Sequence, residues 1–215
     1  MQLPNRCGFM KNRVEESHML KRIILFLTVS LCMVAVAFAS NPTEQIKKTV
    51  DEVVRIVSDK EMKKNEVKRR QALKKSISTI FDYTEMAKRS LGKHWNVRTP
   101  AEKKQFSELF ATLLENSYAS KIESYNNEKI VYIKEIVDEE HAEIKSKVVT
   151  AARDEFTLDY RLFKQDGKWM VYDVVIEGVS LVSNYRSQFN KIITSNGYDK
   201  LVKKLQSKND ELKAP

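Results

Sequence analysis

The stretch FTLDYRLFKQDGKWMVYDVVIEGVSLV, Phe156 to Val182, decides the fold. Phe156, Leu158, Tyr160 and Leu162 alternate with Thr157, Asp159 and Arg161, the period of a half-buried strand. Asp166-Gly167 then marks a two-residue hairpin, because a type I′ turn needs positive φ at both central positions. Trp169 to Ile176 is the returning strand. It is apolar on nearly both faces, which predicts a central place in the sheet. Gly178 permits a sharp change from strand to helix, and Val182, Tyr185, Phe189 and Ile192 then recur at helical spacing.

Upstream, His141 to Thr150 alternates cleanly, with Ala142, Ile144, Ser146 and Val148 on one face, and Lys129 to Val137 reads as a further strand. These four strands predict an antiparallel meander. Helices flank it on both sides in sequence. Asn41-Pro42-Thr43-Glu44 reads as a capping box before a stripe of Ile46, Val50, Val53, Val54 and Val57. Asp59 to Glu66 reads as a charged break. A helix from about Val67 to Ile80 follows, and its outer face carries Lys63, Lys64, Lys68, Arg69, Arg70, Lys74 and Lys75. That face is either solvated or a dock for acidic partners or membrane. Asp82 opens a short helix that Gly92 ends. Thr99-Pro100-Ala101-Glu102 caps a long helix with a wide apolar face. Gly197 separates the last two helices, and the polar tail from Lys208 is expected to fray. The predicted class is α+β: a four-stranded antiparallel meander with N- and C-terminal helices packed on one face.

The N-terminus reads as an address. Lys21-Arg22 precede a charge-free apolar run, Ile23 to Phe38, and Ala37-Phe38-Ala39 places small residues where a signal peptidase cuts. Residues 1–39 are thus expected to be a signal peptide, with Met10 and Met19 as alternative starts, and 40–215 a single domain. Cleavage after Ala39 would remove Cys7 and Cys32, leaving no thiol for a disulfide, a nucleophile or a metal. The full chain carries 38 Lys plus Arg against 29 Asp plus Glu, a net charge of +9. Spread along the chain, that excess suits anionic surfaces and does not argue for nucleic acid.

Little points to catalysis. His94 and His141 have no neighbours at ligand spacing. The acidic runs Asp138-Glu139-Glu140 and Asp154-Glu155 fall at predicted turns. Asp173, in mid-strand between Tyr172 and Val174, is the single candidate for an acid–base carboxylate at the back of an apolar cavity. The alternative is a hydrogen-bonded structural aspartate. No enzyme, cofactor or metal is expected.

The segment Gly167 to Val182, followed by Tyr185-Arg186-Ser187-Gln188-Phe189, resembles the MlaC family, and so do Phe81-Asp82-Tyr83-Thr84-Glu85-Met86-Ala87, Leu91-Gly92, Trp95 and Thr99-Pro100 with Phe106 and Phe110. The resemblance runs from about Pro42 to Leu205. It implies helices over a curved, cystatin-like sheet, in an exported periplasmic carrier that holds phospholipid as cargo. The partners it implies are an inner-membrane ABC transporter with an MCE-domain protein, and an outer-membrane lipoprotein–porin complex. Two acyl chains of roughly 30 methylenes would gain on the order of 25 kcal/mol by leaving water, so the tails need a dry slot of about 1,000 Å³. Its expected lining is Phe81, Met86 and Trp95 before the long helix, and Phe106, Leu109, Phe110, Leu113, Leu114 and Tyr118 along it. The sheet is expected to add Val148, Leu158, Tyr160, Val171, Val174 and Ile176, and the chain beyond it Val179, Val182 and Tyr185. Val179 is expected to point between sheet and helices. A periplasmic lipoprotein chaperone is the alternative function, with an acid–base enzyme using Asp173 behind it.

Overall fold

The computed structural model describes residues 41–213. The expected signal segment, its cleavage after Ala39 and the starts at Met10 and Met19 lie outside them.

Helix α1 (Pro42–Ser58) begins where the sequence predicts, with the Asn41 side chain accepting from the amides of Thr43 and Glu44 at 2.9 and 3.3 Å. Glu44 does not complete the reciprocal box; it pairs with Lys47 at 2.8 Å. The expected charged break contains a short helix, α2 (Lys60–Lys64), capped by Asp59, and Asn65 then caps α3 (Glu66–Ile77). Helix α4 (Tyr83–Leu91) starts at Asp82, whose carboxylate accepts from Glu85 N at 2.8 Å, and stops at Gly92 with φ +54°. Helix α5 (Pro100–Glu123) has the full capping box: Glu102 N donates to Thr99 Oγ1 at 3.2 Å, and Thr99 N donates to the Glu102 carboxylate at 2.7 Å. With β-strands between, the chain closes on α6 (Leu181–Asn196) and α7 (Tyr198–Lys213), divided at Gly197.

The sheet runs in chain order: β1 (Lys129–Asp138), β2 (His141–Val149), β3 (Glu155–Gln165), β4 (Lys168–Ile176) and β5 (Val179–Ser180), each antiparallel to the last. The expected four strands are therefore five. The reason is a second tight hairpin. Asp166 and Gly167 turn at φ +49° and +78° as predicted, and Glu177 and Gly178 repeat the turn at +49° and +76°. Val179 thus pairs with Ile176 and Ser180 with Val175 before the helix starts. Beside β5, Phe81 makes a parallel bridge to Val171, with Val171 N donating to Ile80 O at 2.6 Å and Asp82 N to Val171 O at 3.0 Å. Strand β4 is thereby flanked on both sides, as its central place requires, yet its two faces still differ, with Trp169, Val171 and Asp173 buried and Met170 and Tyr172 half-buried. β1 forms the opposite edge and carries a register shift between Tyr132 and Lys134 that leaves Ile133 outside the ladder.

Helix α1 lies on β1 and β2, while α4 and α6 meet β4. The tail does not fray at Lys208: α7 continues to Lys213, and buried Asn209 donates its Nδ2 to Leu109 O at 3.0 Å. That hydrogen bond ties the last turns of α7 to the middle of α5.

Candidate functional site

The apolar interior divides into layers. In the helical layer, Met86, Leu91, Phe106, Phe110, Leu113, Leu114, Val182, Phe189 and Leu201 from α4 to α7 form one buried cluster. In the sheet layer, Ile46 of α1 and Ile80 form another with Ile144, Tyr160, Leu162, Trp169, Val171 and Val174. Among the described residues, Phe81 is the one side chain packed against both. It holds this place because the backbone around it is bridged to β4. A third, small cluster of Ile56, Val57 and Leu73 closes the end of α1 against α3.

The expected lining residues thus do not form one continuous wall. Met86, Phe106, Phe110, Leu113, Leu114 and Val182 are buried in the helical layer, with Trp95, Leu109, Tyr118 and Tyr185 half-buried against it. Phe106 and Phe110 meet Phe189 edge-on at centroid distances of 5.6 and 5.5 Å, so these rings are taken up by helix packing. Tyr160, Val171 and Val174 are buried in the sheet layer, with Leu158 and Ile176 half-buried beside them. Val148 is buried but belongs to neither cluster. Val179 is 57% exposed, so the expectation that it points between sheet and helices is corrected. The hairpin at Glu177-Gly178 turns its side chain out to solvent.

The inward hydroxyls carry the marks of this apolar setting. Burial pushes the Tyr160 and Tyr83 phenols up, and the Tyr118 and Tyr185 phenols as well. Tyr132, on the inner side of β1 opposite Ser146, is pushed up to about 12, mainly by burial and further by the carboxylates of Asp51 and Glu44. Its hydroxyl is buried and has no hydrogen-bond partner among the described residues. Sequence reading missed Tyr132. The signal available was its shared parity with Ile130, opposite Val148 on the buried side of β2.

Asp173 is 3% exposed and fully engaged. One carboxylate oxygen accepts from Ser180 Oγ at 2.6 Å and Arg161 Nη1 at 3.3 Å, the other from Val182 N at 3.0 Å. It ties β4 to the first turn of α6 and corresponds to the structural aspartate, with no free oxygen turned to the apolar layers. His94 Nε2 lies 2.9 Å from Asn190 Oδ1, and His141 meets the Tyr172 ring edge-on at 6.5 Å. Among the described residues, no three His, Cys, Asp or Glu side chains come together as a metal site.

This arrangement defines an α+β class with a meander sheet and a helical layer, each with its own apolar cluster, both of which Phe81 touches. The profile of the MlaC protein family matches residues 47–207, and the chain belongs to that family. The intermembrane phospholipid transport system binding protein MlaC of Haemophilus influenzae is 28% identical over 121 residues, 54% of this chain and 56% of that protein. The toluene tolerance protein ttg2D of Pseudomonas putida is 26% identical over 184 residues, 84% of this chain and 85% of its own length. Among solved structures, a phospholipid-binding protein from Ralstonia solanacearum, in complex with a phospholipid, superposes with a TM-score of 0.75 at 26% identity. That match covers 81% of this chain and all of the Ralstonia chain.

Proposed function

We propose that this protein is a periplasmic phospholipid carrier that holds the acyl tails of a diacyl lipid between the sheet layer and the helical layer. The observation that carries the reading is the division of the apolar interior, with Leu158 and Ile176 on one side and Tyr118 and Tyr185 on the other only half-buried. Apolar side chains left half-exposed on both layers are surface that acyl chains can cover. Acyl chains between them recover about 0.8 kcal/mol per methylene withdrawn from water. The relative solved with a phospholipid shares this fold, and the relatives named for phospholipid transport and toluene tolerance are 28% and 26% identical to the matched parts of the chain.

On this reading the chain is exported, cut after Ala39, and passes lipid between an inner-membrane ABC transporter with an MCE-domain protein and an outer-membrane lipoprotein–porin complex. The test is mass spectrometry of the intact exported protein and of its organic extract after gentle purification. A chain beginning at Ser40 with diacyl phospholipid in stoichiometric amount is the expected result. Bare polypeptide with no extractable phospholipid overturns the carrier reading. Co-purified acylated protein in place of free lipid replaces it with the lipoprotein chaperone.

A further inference from the structure

We propose that Tyr132, with Tyr160 behind it, is a neutral donor site for an ester carbonyl of the bound lipid; the inference rests on the carrier reading. Buried polar groups are nearly always hydrogen-bonded, and an exception calls for a cause. The Tyr132 hydroxyl is such an exception. Its neighbours do not satisfy it. Ser146, directly across the ladder, donates its hydroxyl to Leu158 O. Glu44 pairs with Lys47, and Glu135, on the same strand, accepts from Thr43 at the start of α1.

The surroundings also select the ligand. Polarity changes in order from the outside inward. Glu44, Lys47 and Asp51 form a charged rim on α1, with Lys47 Nζ 5.5 Å from the centroid of the Tyr132 ring. The Tyr132 hydroxyl lies beneath it, close enough to that of Tyr160 to raise it electrostatically. Tyr132 itself packs against the buried cluster that holds Ile46, Ile144, Leu162 and Val174. The carboxylates around Tyr132 disfavour a phosphate at that depth, whereas a neutral carbonyl can accept the phenolic proton without a charge being buried. A diacylglyceryl lipid has the same order: polar headgroup, ester carbonyls, hydrocarbon tails.

The test is a competition. Wild-type protein is stripped of lipid and offered an equimolar micellar mixture of ester-linked dioleoyl phosphatidylethanolamine and its ether-linked analogue, which lacks the carbonyls. The bound ratio is read by mass spectrometry. Wild type should favour the ester lipid about threefold to tenfold, the discrimination one net hydrogen bond supplies. Tyr132→Phe should bind the ester lipid about threefold to tenfold more weakly and the ether lipid as wild type does, bringing the ratio near one, and its lipid-free form should melt no lower than wild type. Tyr160→Phe should reduce the preference in part. Equal uptake of both lipids by wild type overturns the donor site and leaves the carrier reading intact, as does a Tyr132→Phe protein that keeps the wild-type ratio. Uptake of neither lipid overturns the carrier reading and this inference with it. Should Tyr132→Phe fail to fold, equal uptake by wild type still overturns the site, and so does an undiminished ratio in Tyr160→Phe.

Discussion

Replacing Asp173 with alanine should destabilise the fold by about 3 kcal/mol without touching the apolar layers. The figure comes from its three contacts. Val182 N–H, at the first turn of α6, donates to a buried carboxylate, and a hydrogen bond to a charged group contributes about 1.5–3 kcal/mol. Ser180 Oγ also donates to Asp173 while accepting from Ser183 N at 3.0 Å, so its loss leaves a half-buried hydroxyl to find water, at about 1 kcal/mol or less. Arg161 has a side chain 40% exposed, and its ion pair with Asp173 contributes a few tenths at most. For a chain of this length each kcal/mol moves the melting temperature by about 2–4 °C, so Asp173→Ala should melt about 6–12 °C lower in circular dichroism. Asp173→Asn keeps an acceptor for Val182 N–H and should lose about half as much. Arg161→Gln should stay within about 0.5 kcal/mol of wild type. An Asp173→Ala protein within 1 kcal/mol of wild type, or an Arg161→Gln protein as unstable as Asp173→Ala, would refute the assignment of Asp173 to the β4–α6 junction.

Reversing Arg69, Arg70 and Lys74 to glutamate should unfasten α3 from α5, because Arg69 pairs with Glu123 at 2.9 Å, Arg70 with the same carboxylate at 3.5 Å and Lys74 with Glu115 at 3.0 Å. The half-buried Arg69–Glu123 pair alone should cost about 3 kcal/mol when one partner is reversed, and a melting curve matching wild type would show that these charges do not hold the helices together. Val179→Glu, on the exposed end of β5, should melt normally and keep its full lipid load, and loss of lipid in a well-folded variant would return Val179 to the slot. The Glu102 carboxylate lies below its ordinary value of 4.5, chiefly through the hydrogen bonds it accepts from Thr99. Its contribution to stability is therefore complete above that value and fades as pH falls below it. Glu102→Gln, which retains the box geometry, should flatten that part of an acid titration followed by circular dichroism, and an unaltered acid limb would contradict the capping role.

What the sequence made legible was local. The Asp166-Gly167 turn, the Thr99–Glu102 box, the stop at Gly92 and the alternation of β2 all depend on residues a few positions apart, and each is found where it was expected. Glu177-Gly178 obeys the same φ requirement as Asp166-Gly167, yet it reads as a strand-to-helix change, because the strand it creates is only two residues long. The basic face of α3 reads as free charge because Glu115 and Glu123 lie some fifty positions along the chain, on the far end of another helix. Asn209 reads as part of a solvated tail for the same reason, since its partner carbonyl belongs to Leu109.

Tyr132 shows a different limit. Strand parity assigns faces only while the ladder is unbroken. Ahead of the register shift, Ile130 and Tyr132 oppose Val148 and Ser146 on the buried side; past it, Glu135 and Val137 oppose Ile144 and Ala142 on that same side. Uniform alternation through β1 would send either the tyrosine or the glutamate to the wrong face. The extra residue at Ile133 lets both face inward, Glu135 to anchor the start of α1 through Thr43 and Tyr132 to present a hydroxyl that no other described residue satisfies. A bulge re-aims side chains in this way at the expense of one ladder position, and it does so without an obligatory residue type to announce it. On the proposed donor site, the part of β1 that would bear most directly on lipid binding is therefore the part that pattern reading is least able to orient.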